Sequence, residues 1–139
     1  MSIIEIPTSH LDLLTNHGVA TLSTLSQDQS IQSSLVWFDY LDDHIRINVV
    51  DSSAKARNLV RFPKATLLIM DRDNVDRYLS LRCEVSLFER DGAIAHLDSL
   101  TKRNMSLDRW YGGAVADDPA EAARRVIACL KPIRVYSAE

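Results

Sequence analysis

What most constrains this chain is a succession of short stretches in which apolar and polar residues alternate, separated by turns long enough only to reverse direction. Val19 to Leu25 (Val-Ala-Thr-Leu-Ser-Thr-Leu) is rich in β-branched residues and predicts a strand. The polar run Ser26-Gln27-Asp28-Gln29-Ser30 turns it. Ile31 to Tyr40 reads as a second strand, Leu41-Asp42-Asp43 as its turn, and Ile45 to Val49 alternates as a half-buried third. Strands joined this closely form an antiparallel meander. Ala65 to Met70 is unbroken and apolar, which predicts a strand buried on both faces. Tyr78 to Phe88 alternates again, and Arg125 to Tyr136 closes the chain as a last strand. A long antiparallel sheet must cover its edges or close on itself, so the expectation is a mainly β fold: six antiparallel strands in a small closed barrel.

The helices are short and would plug the ends of that barrel. Pro7-Thr8-Ser9 ahead of His10 to Leu14 predicts a helix capped by a hydroxyl side chain, with Gly18 as its stop. Asp51-Ser52-Ser53 precedes a second helix, Ala54 to Phe62, ended by Pro63. Asp91-Gly92 opens a third that reaches Met105, with Ile94, Leu97 and Leu100 on one face and His96, Lys102 and Arg103 elsewhere. Pro119 to Ala123 makes a single turn. No linker, repeat or low-complexity stretch interrupts the 139 residues, so residues 1–139 are expected to form one domain.

Composition narrows the function classes. With 46% hydrophobic and 25% charged residues, wholesale disorder is excluded. The net charge of −3 lacks the basic excess of a general nucleic-acid binder, so no nucleic-acid partner is expected. Cys83 and Cys129 have no metal-ligand spacing and read as reduced thiols, Cys83 as a packed small residue in mid-strand. His10, His17, His44 and His96 are likewise scattered, and no metal site is expected. The N-terminus has no signal-peptide pattern and no apolar run is long enough to span a bilayer, which points to a cytoplasmic protein without a membrane partner. No nucleophile elbow, zincin motif, P-loop or dinucleotide fingerprint occurs, and no catalytic residue is assigned.

The sharpest local feature is the strand–Asp51-Ser52-Ser53-Ala54-Lys55–helix junction. A helix start offers free amide donors and roughly half a positive charge. Ser52 and Ser53 add hydroxyls, and a lysine about 4 Å from a phosphate gains about 4 kcal/mol at an effective dielectric of about 20. The same residues also describe an ordinary capped helix with a solvated lysine, and Asp51 opposes an anion unless it points away. Gln32-Ser33-Ser34-Leu35-Val36-Trp37 is the second feature. Alternation puts Gln32, Ser34 and Val36 on one face, as polar atoms for a planar ring or as a half-solvated sheet. Arg103 to Gly113 is polar and aromatic, either a mobile lid or a surface loop.

Taken in order, these segments resemble a known family. Ala20-Thr21-Leu22-Ser23-Thr24-Leu25 and Val36-Trp37-Phe38-Asp39-Tyr40 are similar to the opening meander of the pyridoxamine 5′-phosphate oxidase-like split β-barrels. Asn48, then Lys55-Ala56-Arg57-Asn58-Leu59, resembles their phosphate-binding junction. Asp71 to Val85, with Asp76-Arg77-Tyr78-Leu79, and His96 to Arg103 resemble the subgroup of probable F420-dependent enzymes, and the likeness runs from about residue 10 to residue 136. The resemblance implies a homodimeric split barrel with F420 or FMN in grooves between two barrels. It implies that Lys55 pairs with the cofactor phosphate and Ser53 hydrogen-bonds it. Ser34, Val36 and Trp37 would border the ring or ribityl chain, Asn48 and Val49 would line the floor, and Arg82 would reach in from the partner strand. The implied function is hydride transfer between F420 or FMN and a small conjugated organic substrate; the alternative is a non-catalytic FMN-binding or cofactor-scavenging dimeric barrel. Family members often carry Arg just before the lysine and Thr after the asparagine. Here Ala54 and Val49 stand there, with Asp51 close by. At about 1.5–3 kcal/mol per charge-assisted bond, phosphate binding is expected to weaken unless something compensates.

Overall fold

The computed structural model describes residues 4–16 and 18–139. His17 lies outside the described residues. The strands are β1 (Val19–Leu25), β2 (Ile31–Leu41), β3 (His44–Val50), β4 (Lys64–Met70), β5 (Tyr78–Glu89) and β6 (Arg125–Ala138). They close a barrel in the order β1-β2-β3-β6-β5-β4, every neighbouring pair antiparallel. Closure pairs every strand with two neighbours, which is the expected solution for six short strands. Phe38, Leu22, Ile47, Leu67, Leu81 and Leu130 are fully buried at its axis. Each such side chain contributes about 1.5–3 kcal/mol by leaving water.

One ladder stops short. β2 pairs with β1 through Ile31–Trp37, then with β3 only from Phe38 to Leu41. β3 in turn continues along β6 through Asn48, Val49 and Val50 after its pairing with β2 has ended at Ile47. The wall therefore parts between Val36–Trp37 on one side and Asn48–Val50 on the other. This parting is the split of the barrel.

The helices are α1 (Leu11–Thr15), α2 (Ala54–Arg61), α3 (Ala93–Met105) and α4 (Pro119–Ala122). α3 packs over β2, β3 and β6, across the split. Three expectations need correction. No side chain caps α1: Thr8–His10 form a 3-10 turn, and His10 is buried with Nε2 2.7 Å from the Ala138 carbonyl oxygen. Gly18 does not adopt a positive φ; it is small because a Cβ there would overlap the Asn104 side-chain amide of the α3 end. β4 is buried on one face only: Leu68 is 41% and Met70 48% exposed, because in a closed barrel just one face of a strand looks inward.

Candidate functional site

The split opens a groove of about 580 Å³, within the range of small-molecule sites. Its lips are Leu35, Val36 and Trp37 from β2 and Asn48, Val49 and Val50 from β3. Leu97 and Leu100 of α3 and Trp110 from the following loop form the roof. Trp110 meets Trp37 edge-on, ring centroids 5.6 Å apart at 89°. That loop is tied down by the Trp110 backbone N–H, which donates to Asp98 Oδ1 at 3.0 Å. Most of the stretch from Arg103 to Gly113 lies at the surface, as a surface loop would, with Trp110 and Tyr111 half-buried and Trp110 against the groove.

At one end the groove meets the start of α2. Ser53 is the N-cap, its Oγ accepting the Ala56 N–H at 3.3 Å. Ser53 and Lys55 both line the groove, and Lys55 has no ion-pair partner among the described residues. Asp51 points the other way. Its carboxylate takes Arg90 Nη2 at 2.6 Å and Arg124 Nε at 3.0 Å, and these two arginines hold it below the usual carboxylate range. The anion that opposed a phosphate is therefore already paired outside the groove.

A second cation does line the groove, and the sequence reading missed it. Arg125 opens β6 with its side chain only 12% exposed. Its Nε donates to Tyr111 Oη at 3.0 Å, Nη1 to Asn48 Oδ1 at 3.5 Å and Nη2 to Glu121 Oε1 at 3.4 Å. Tyr111 Oη passes its own hydrogen to Glu121 Oε1 at 2.7 Å. Among the described residues no carboxylate lines the groove itself, although Glu121 pairs with Arg125 from outside the lining.

Asn48 is fixed from behind. Its Nδ2 donates to the Ala93 carbonyl at 2.7 Å, which orients the amide, since a carbonyl only accepts. His96 Nδ1, 3.2 Å away, must then be the acceptor, so the ring proton sits on Nε2. Nε2 lies 3.3 Å from Asp39 Oδ2 yet makes no well-formed hydrogen bond, the one buried side-chain polar atom so placed among the described residues. Arg46 completes the cluster, Nε and Nη2 meeting the two Asp39 oxygens at 2.8 and 2.6 Å. Burial pushes the Asp39 carboxyl up, but His96 and Arg46 outweigh it and hold it at about 2. His96, expected off the apolar face of its helix, is buried, while Ile94 turns to solvent.

The expected site residues thus divide. Val36, Trp37, Asn48, Val49, Ser53 and Lys55 meet at the groove. Ser34 does not line it; it faces Leu22 across the β1–β2 ladder. Arg82 lies on the outer face of the sheet, opposite Thr66 and Arg134, in a separate cavity of about 560 Å³.

Fold and groove define a class: a closed six-stranded barrel, split at one ladder, with a cationic aromatic groove in the split. The chain belongs to the pyridoxamine 5′-phosphate oxidase family, whose profile matches residues 6–138. Among solved structures it is similar to an F420 reductase, with 27% identity, a TM-score of 0.80, and 94% of this chain and 98% of that one covered. A conserved hypothetical protein from Mycobacterium tuberculosis shares 20% identity at a TM-score of 0.72, covering 99% and 86%. HutZ, the heme storage protein from Vibrio cholerae, shares 12% at 0.66, covering 97% and 96%, a likeness of fold alone. No functionally curated protein matches the chain.

Proposed function

We propose that this chain is a single-domain, cytoplasmic oxidoreductase that works as a homodimer and moves a hydride between F420, or FMN, and a small conjugated organic substrate. The observation that carries the reading is the groove itself: two cations in its lining, Lys55 and the Glu121-paired Arg125, beside a helix start and two tryptophans. That donor set fits a planar ring bearing an anionic tail. The solved structure described as an F420 reductase supports the deazaflavin as first choice.

Lys55 and Ser53 would hold the phosphate at the start of α2. Trp37, Val36 and the α3 leucines would flank the ring, and Asn48 and Val49 would form the floor, with Ser34 behind. Arg82 would serve the groove of a partner subunit, since within its own barrel it faces outward. When bound, the cofactor supplies the hydride chemistry. The protein's part is to exclude water and fix the acceptor about 3–3.5 Å from the reactive ring position.

Among the described residues no Asp, Glu, His, Cys or Tyr lines the groove. That suits a hydride transfer needing no side-chain acid, and it equally favours a second reading, a non-catalytic FMN-binding or cofactor-scavenging barrel. Titration of the purified protein with FMN and F420 side by side tests both. Tight binding with turnover of an acceptor supports the enzyme, and binding without turnover of any conjugated acceptor supports the scavenger. Lys55→Ala should weaken the bound cofactor at least tenfold; unchanged affinity removes the phosphate assignment.

A further inference from the structure

We propose that Arg125 is the second cation of the anion seat and grips a phosphate ester jointly with Lys55; the proposal rests on the reading of the groove as a flavin or deazaflavin site. Arg125 is the Cα partner of Val50, the last residue of β3 before the Asp51–Lys55 junction. It therefore stands beside the start of α2, across one ladder spacing of about 4.8 Å. Its neighbour Arg124 turns outward to Asp51, so successive arginines serve opposite sides of the junction.

The hydrogen-bond inventory leaves Arg125 with spare capacity. A guanidinium has five N–H donors, and three are taken by Tyr111, Asn48 and Glu121. Two of those three contacts are long, at 3.4 and 3.5 Å. The remaining two donors belong to a nearly buried side chain on the groove wall, whose carboxylate partner Glu121 pairs with it at 3.4 Å from outside the groove lining. Tyr111 stacks on the guanidinium, its ring centroid 5.7 Å from Cζ, and limits where the fork can point. A pinned fork with two donors unpaired among the described residues, next to a lysine with no ion-pair partner among them, matches the several oxygens of a phosphate better than a neutral tail. Glu121, 43% exposed, is the ion-pair partner of Arg125 at 3.4 Å, and a phosphate would compete with it for the guanidinium.

The test compares ligands that differ in the phosphate. Affinities of wild type, Arg125→Met and Arg125→Lys are measured by fluorescence for FMN against riboflavin, and for F420 against its deazaflavin core lacking the phosphate. Arg125→Met should weaken the phosphorylated member of the bound pair ten- to a hundredfold and change the other less than twofold. Arg125→Lys should recover part of the loss, since it restores the charge but not the fork. Retained binding of the phosphate-free ligand shows that the variant is folded. Equal losses for both ligands, or none for either, would overturn the proposal. A wild-type protein that binds both members of a pair equally well would also overturn it, while leaving the cofactor reading intact. A wild type that binds none of the four compounds would remove both.

Discussion

Asp39 shows how a residue outside the groove lining connects to its floor. Its carboxylate is clamped by Arg46 and faced by His96, and His96 in turn accepts from Asn48. The consequence for stability has a definite sign. The carboxyl is held at about 2 against an ordinary 3.8, so the folded state favours the ionised form. That contribution is complete above about pH 4 and is lost as the pH falls from there through about 2. After allowance for solvent screening it is worth about 1–2 kcal/mol. Urea unfolding of wild type and Asp39→Asn should therefore show a stability gap at pH 6 that narrows by roughly two thirds of that amount near pH 2.5. A gap independent of pH would mean that Asp39 is not the clamped group. The sequence made Ser53 and Lys55 legible because a capped helix start is a local pattern. His96 and Arg125 were not legible, because what gives them a role is distant in the chain. Asn48 lies 48 residues from His96 and 77 from Arg125. A lone histidine off the apolar face of its helix, or an arginine pair before a strand, reads as surface until the barrel brings the partners in.

At the scale of elements, the decisive piece is the connection between α3 and α4. It places Trp110 against Trp37 and Tyr111 against Arg125, and it folds back through the Ala114 N–H to the Arg109 carbonyl at 2.9 Å. Gly113 sits inside that hairpin, and a Cβ there would overlap the Arg109 carbonyl oxygen. Backbone cannot swing aside as a long side chain can. Gly113→Ala should then cost about 1–3 kcal/mol of packing strain. It should also weaken cofactor binding severalfold by displacing both aromatics, read as a change in tryptophan fluorescence together with the titration. Unaltered affinity in a folded variant would show the roof to be dispensable. The strands were read from alternation to within a residue or two at most ends. The unbroken apolar run of β4 misled because periodicity cannot tell a strand covered by its own chain from one covered by another.

That ambiguity matters most for the molecule as a whole. The register lines up Leu35, Thr21, Leu68, Ser80 and Tyr136 across β2, β1, β4, β5 and β6. Three of the five are large and open to solvent: Leu35 at 74%, Leu68 at 41% and Tyr136 at 62%. Five strands about 4.8 Å apart make the row about 20 Å wide. The next row holds Ser33, Ser23, Thr66, Arg82 and Arg134, so the outward-facing Arg82 belongs to the same face. Leu35 also lines the groove, so the groove runs out onto this face, and a second barrel laid there would wall it in. We therefore expect light scattering to give twice the 15.6 kDa chain mass at micromolar concentration. Leu68→Lys, which puts a charge in the centre of the row without touching the groove, should shift the protein to monomer. If the groove is shared, the same variant should also lose cofactor affinity at least tenfold. A monomeric Leu68→Lys that binds cofactor as well as wild type would place the whole site within one chain, and a wild type that scatters as a monomer would leave the apolar row without a partner.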